Sequence, residues 1–446
     1  MSAPGQRDAS TDGQLAERAA LGGLTRAFPP ALVDEVLLDC GRVDRRGALL
    51  PARVLVYFVL AMGLFDGHGH AETARLLVDA LEREPWWPQG RHLPAAPAID
   101  RARLRLGPEP LRRLFDLTRP APAARRTDAA WFHDLRLVAL DGAVFDVPDT
   151  APNAEFFGRP AGIAAAPTAT RATATRATGR PARSRTAPTT GRHATVQDSG
   201  CFPQARVSAL VECGTGTVFT ADVGPVPDHE SALEAAIYPA LTRGTLALAD
   251  RGTTDPTTWH AARAGGADLL WQVPGSLRLP ITERLDDGSR LAEPGRERDC
   301  PAQVRVIDYR LDTDPRHAPP HRLLTSILDP AAAPAAELAT RFVHQARTDT
   351  ALDRLTPAHP GPGPHPTPGP HPTRGSRPTP GPHPARGPQP TRGPDPAPGR
   401  LLHSRHPDGI AQEIFALLLL RHAFPPTPAE PGTPSQPAVH LVPGQG

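Results

Sequence analysis

The spacing of apolar positions changes partway along the chain. Over residues 15–85 it is helical. Pro51 suits a first helical turn, and "VLVYFVLAMGLF" (54–65) behind it is apolar on every side, as a buried helix would be. "HAETARLLVDALERE" (70–84) places Leu76, Leu77 and Leu81 on one stripe with charges between. Two shorter helices fit 98–117, so an all-α region is predicted over 15–125. From 135 the pattern shortens to that of strands. "LRLVAL" (135–140) is a buried run ending at Asp141, and "ARVSALVEC" (205–213) with "GTVFTADVG" (216–224) reads as a hairpin around Gly214 and Gly216. A helix (230–241), a strand "TLALAD" (245–250), a helix closed by glycines (255–266) and a strand "ADLLWQV" (267–273) follow. More strands fit 278–328, then helices at 334–355 and 409–422.

Two stretches interrupt this plan. Residues 163–199 are rich in Thr, Ala and Arg without periodicity. Residues 357–399 hold 17 prolines in echoes of "PGPHPT" and "PQPTRGP". They predict extended polyproline-like chain, either a recognition ligand or a translated, expanded repeat. A disordered tail is expected over 424–446.

Composition adds little except locally. All 49 basic residues are arginine, and the net charge of +2 points to no partner by itself. The stretch 101–126 concentrates eight arginines against Glu109 and Asp116. Arg101, Arg103, Arg105, Arg112 and Arg113 could lie along phosphates or form a solvated helix face. Cys40, Cys201, Cys213 and Cys300 make no C-x-x-C, which predicts reduced thiols in a cytosol. "MSAPGQRDAS" lacks the apolar core of a signal peptide, and the run 54–65 is too short to span a bilayer. His68 and His70 have no acid or Cys at ligand spacing and read as loop residues.

The element order strand–strand–strand–helix–strand–helix–strand with a late helix is the plan of a ribonuclease-H-like domain: a mixed sheet with flanking helices, here preceded by the all-α region. Asp141 and Asp250 end its first and fourth strands, where two carboxylates can converge on a hard divalent ion. Either residue alone reads equally as an Asp starting a turn.

"LRLVALDGAVFDVPDTAPNAEFFGRP" (135–160), "FPQARVSALVECGTGTV" (202–218) and "LALADRGTTDPTTWHAARAGGADLLWQV" (246–273) together resemble the core of DDE transposases of the insertion-element-four family. "LTRAFPPALVDEVLLDCGRVDRRGALLPARVLVYFVLAMGLF" is similar to that family's helical N-terminal domain, and "LLHSRHPDGIAQEIFALLLLRHA" (401–423) to its closing helix. The resemblance implies Mg²⁺- or Mn²⁺-dependent DNA strand cleavage and strand transfer, by a homodimer or multimer on transposon ends and target DNA, in the cytoplasm on the nucleoid. It implies a DNA-binding region over 15–125, a core over 131–356 and 400–423, and a β-rich insertion at 278–328. Asp141 and Asp250 become metal-binding carboxylates, with Arg251 beside the second on DNA. Asp146 and Asp149 read as turn formers.

The family's third motif, Y-x₂-R-x₃-E-x₆-K, sets four side chains on one helix stripe. "TALD" (350–353) frames the corresponding positions here as Phe342, Gln345, Asp349 and Thr356. Asp349 would be the third metal ligand, with Phe342 and Gln345 facing DNA, yet all four depart from the motif. Gln345 lacks the charge and the bidentate grip of arginine. Asp349 is roughly 1.5 Å shorter than glutamate, and a misplacement of about 1 Å can cost on the order of 10²-fold in rate. Leu338, Phe342, Leu352 and Leu355 follow helical spacing, so the segment reads as a former catalytic helix kept for packing. The expected function is an impaired or inactive transposase; a non-catalytic DNA-binding remnant is the alternative.

Overall fold

The computed structural model describes residues 22–44, 50–65, 68–82, 95–125, 127–159, 202–225, 234–250, 255–293, 303–314, 320–346, 352, 402–424 and 438–442. The regions 163–199 and 357–399, together with Asp349, Arg251 and Thr356, lie outside them.

The predicted helical region contains α1 (Pro30–Asp39), α2 (Ala52–Leu64), α3 (His70–Leu81), α4 (Ala96–Leu106) and α5 (Glu109–Leu117). Helix α2 is buried on all sides from Val54 to Met62, as its unbroken apolar run demands. Its partner comes from the far end of the chain. The last helix, α9 (Pro407–Ala423), is buried from Gly409 to Leu420 except at Ala411, and packs on α2, α4 and α5. Gly63 permits the close approach, since a Cβ there would lie 2.9 Å from Leu420 Cδ1. The other face of α9 meets the sheet, so one apolar cluster joins the helices, α9 and the sheet residues Phe145, Val207 and Val218.

Eleven strands form one mixed sheet: β1 (Trp131–Phe132), β2 (Leu135–Asp146), β3 (Gln204–Glu212), β4 (Thr217–Pro225), β5 (Thr245–Ala249), β6 (Asp268–Val273), β7 (Ile281–Arg284), β8 (Arg290–Ala292), β9 (Val304–Leu311), β10 (His321–Thr325) and β11 (Val439–Leu441). The main order is β4-β3-β2-β5-β6-β10-β9-β8-β7. Strand β2 is antiparallel to β3 and parallel to β5, which is parallel to β6. The hairpin expected at 205–224 is β3–β4, and its turn uses Gly214 (φ 80°) and Gly216 (φ 66°). Helix α6 (Ala151–Phe157) follows β2, and α7 (Pro256–Arg263), capped by Asp255, links β5 to β6.

Two expectations change and two are refined. Strand β2 does not stop at Asp141 but runs on to Asp146, because β3 continues to pair with it after β5 has ended. The strands within 278–328, expected as a β-rich insertion, join the same sheet through the pairing of β10 with β6. Within the span expected as a helix, 230–241, residues 234–235 are helical and a 3-10 turn follows at Tyr238–Ala240. The tail is not wholly without structure: Val439–Leu441 pairs with Tyr309–Leu311, the part of β9 that extends past β8. Added strands of this kind cover backbone groups that would otherwise form an open edge. Among the described residues, no helix is long and apolar enough to cross a membrane.

Candidate active site

Asp141 lies in β2, and Asp250 lies in the turn that follows the neighbouring strand β5. Strand β2 pairs in parallel with β5 up to Ala139 opposite Leu248. Each acid lies two residues beyond that last pair, Asp141 still within β2 and Asp250 just past the end of β5. The pleat decides the face. Leu137, Leu246 and Leu248 lie in the apolar cluster beneath α8 (Ala335–Ala346). Ala143 and Phe145, on the same side of β2, belong to the cluster around α9. Asp141 therefore lies at the seam between the two clusters, where the sheet face changes cover.

Leu352 lies against Asp141. The Leu352 backbone N–H donates to Asp141 Oδ2 at 3.3 Å, while Gly142 N–H donates to Oδ1 at 2.8 Å. Leu352 itself is fully buried in the α9 cluster. Asp349 is three residues away along the chain and lies outside the described residues. Asp250 is exposed in the turn after β5. Two carboxylates on adjacent strands are hard oxygen donors of the kind Mg²⁺ or Mn²⁺ takes. Among the described residues, no group of three His, Cys, Asp or Glu side chains is arranged to hold a metal ion.

The other expected residues divide. Phe342 is 2% exposed, packed in the core with Leu338, Ala339 and Val343. Its ring is thus not presented to a DNA backbone, and spacing alone explains why: positions 335, 338, 339, 342 and 343 form the apolar stripe of α8. Gln345 is partly buried, and its Nε2 donates to the Ala129 carbonyl at 2.9 Å. Asp146, expected as a turn former, is the last residue of β2 and accepts from Gln204, and Asp149 pairs with Arg159.

The arginine stretch also resolves residue by residue. Arg103 is 3% exposed, so its reading as a phosphate contact is corrected. Its guanidinium pairs with Glu413 at 2.9 Å and donates to Gln412 Oε1 and the Gly409 carbonyl. It joins α4 to α9, and the sequence offered no sign of a partner some three hundred residues away. Arg112 pairs with Asp222 at 2.5 Å and Arg113 with Asp39 at 3.4 Å, both at the surface. Arg101 and Arg105 are exposed one turn apart on α4. Of the cysteines, Cys40 and Cys213 are free, and burial pushes the Cys213 thiol up to about 12.

The sequence reading did not anticipate the outer face of α8. There Ala336, Glu337, Thr340, Arg341 and His344 form a groove with Phe132 and His133. The complementary spacing opposite the apolar stripe was the available signal.

Residues 18–116 match the family model described as the insertion element 4 transposase N-terminal domain. The chain is 25% identical over 334 residues to transposase InsG for insertion sequence element IS4 of Escherichia coli (strain K12), covering 74% of this chain. It is 25% identical over 206 residues to InsZ of the same strain, covering 46% of this chain. The chain spans 66% of the first relative's length and 58% of the second's. The chain is thus similar to insertion element 4 transposases, through the family model over its helical region and through these two relatives over longer spans.

Proposed function

We propose that the protein is a DDE-type transposase, with Asp141 and Asp250 as two of its metal-binding carboxylates and Asp349 as the third. The observation that supports the reading is the parallel pairing of β2 with β5, whose last pair, Ala139 and Leu248, lies two residues before each acid, with the Leu352 amide on the Asp141 carboxylate. The order β4-β3-β2-β5-β6, antiparallel on one side of β2 and parallel on the other, supports a ribonuclease-H-like core. A bound Mg²⁺ or Mn²⁺ would supply nucleophile activation and stabilisation of the leaving oxygen in phosphoryl transfer. The two Asp carboxylates would be oxygen donors to that ion, and the Leu352 and Gly142 amides fix the direction of the Asp141 carboxylate. Arg101 and Arg105 contact DNA phosphates from α4. The protein acts as a dimer or multimer on transposon ends.

The activity is impaired in this reading, because the α8 side chains corresponding to the third motif are spent on the core and on the Ala129 carbonyl. The same observation favours the second reading, a DNA-binding remnant without chemistry. Plasmid nicking with Mn²⁺, comparing the native chain with Asp250→Ala, separates them, with Mn²⁺ binding followed by calorimetry alongside. Nicking and binding that both fall with Asp250→Ala support the enzyme. A folded protein that shifts DNA in a salt-dependent way, without nicking, supports the remnant. Nicking unchanged by Asp250→Ala overturns the site.

A further inference from the structure

The groove on the outer face of α8 has the makings of a second binding site. Its volume is about 450 Å³, within the range of roughly 300–1,000 Å³ common for small-molecule sites. One wall is a pair of rings: His133 lies over Phe132 at 4.3 Å and 10° from parallel. His133 has a left-handed backbone, φ 51°, the only positive φ at a non-glycine among the described residues. Such a conformation is costly and persists where surrounding structure enforces it. Here the ring is also tied across the groove, with Nε2 3.2 Å from Glu337 Oε2. The facing wall is α8, where Arg341 and His344 lie one turn apart, and Ala336 and Thr340 make the lining between them small. An imidazole plane oriented by a carboxylate on one side, with a guanidinium and a second imidazole on the other, suits a ligand that is flat and aromatic at one end and anionic at the other.

We infer that this groove binds one nucleotide unit, its base against His133 and its phosphate at Arg341 and His344. The unit is unpaired, because a base within a duplex already has both faces stacked and cannot offer one to a side chain. The same chemistry could come from a free mononucleotide or from a single strand. The inference does not rest on Asp141 or Asp250, so the assay is run in EDTA, where its failure and that of the metal site are distinct.

The probes are a fluorescein-labelled dT ten-mer, a duplex hairpin of equal length, and thymidine monophosphate as competitor, all with the full chain. The native protein binds the single strand more tightly than the hairpin. His133→Gly, which relaxes the positive φ while deleting the ring, weakens single-strand binding about tenfold, as loss of a stacking platform does. Arg341→Gln weakens it comparably. Should His133→Gly fail to fold, Thr340→Trp fills the groove from an exposed position and gives the same loss. Competition by thymidine monophosphate identifies a free-nucleotide site, and binding of the strand without competition identifies a strand unit; both support the inference. No binding of any probe, or folded His133→Gly and Thr340→Trp proteins that bind like the native chain, overturns it.

Discussion

Arg103→Met tests whether the helical region and the C-terminal helix are locked by one buried charge pair. Arg103 and Glu413 have 3% and 6% of their side chains exposed. Three contacts end at the Arg103 guanidinium: Glu413 Oε1 at 2.9 Å, Gln412 Oε1 at 3.1 Å and the Gly409 carbonyl at 3.2 Å. Methionine fills most of the volume but leaves the Glu413 carboxylate buried, with the His403 N–H at 2.8 Å as its remaining strong donor. Stranding a buried charge in this way costs about 3–5 kcal/mol. Replacing both partners, Arg103→Met with Glu413→Leu, removes the uncompensated charge and costs much less than the two single changes added together. Urea titrations of the four proteins of this cycle read the effect as shifts in midpoint at constant slope. In a DNA gel shift on the folded proteins, Arg103→Met leaves the salt dependence unchanged, whereas Arg101→Gln and Arg105→Gln each reduce it. A cost below about 1 kcal/mol for Arg103→Met, against the 3–5 expected of a buried pair, would sink the argument.

Two further outcomes are expected. His422 stacks on Phe115 at 4.8 Å and donates from Nε2 to the Val218 carbonyl at 2.7 Å. Burial, reinforced by Arg421 and Arg119, pulls its pKa below the ordinary 6.5. The folded protein thus prefers the neutral ring. This contribution is complete above pH 6.5 and is lost as the pH falls from there through the lowered value. His422→Gln should flatten the decline of the urea midpoint between pH 7 and 5, though His70, lowered mainly by burial as well, leaves part of it; an unchanged slope counts against the assignment. At Gly265 an added Cβ would lie 1.9 Å from the Leu241 backbone oxygen. Gly265→Ala is expected to cost about 2–3 kcal/mol. Gly288→Ala, at φ +84° with open space around it, costs about 1–2 kcal/mol from backbone strain alone; thermal midpoints that rank the two the other way refute the steric reading.

Much of the local structure was legible because it is written in spacing. The run 54–65 has no polar face, so only a helix covered on all sides could carry it, and α2 is that helix. The alternation of 205–213 and 216–224 around two glycines specified a hairpin, since the turn needs positive φ at positions where glycine adopts it freely. The apolar stripe of α8 equally foretold that Phe342 would face inward. Expectations failed where a distant partner decides. The end of β2 could not be read at Asp141, because its length depends on how far β3 runs beside it. The strands of 278–328 gave no sign that β10 would join β6, and the tail offered only three residues whose pairing depends on the length of β9.

Arg103 shows the division most plainly. By itself the sequence determined an amphipathic α4 with arginines along it, because helical period is a property of neighbours. Which arginine faces water was decided by α9, whose Glu413 and Gln412 turn one of them inward and leave Arg101 and Arg105 outside. The same holds for the candidate site. Asp141 and Asp250 each end an apolar run that is recognisable locally, but that these runs are neighbours follows from a parallel pairing between strands far apart in the chain. Periodicity is set by bonds between nearby residues and survives in a linear reading. Register, burial of charge and the meeting of two faces are set by contacts across the whole chain, and they exist only once it has folded.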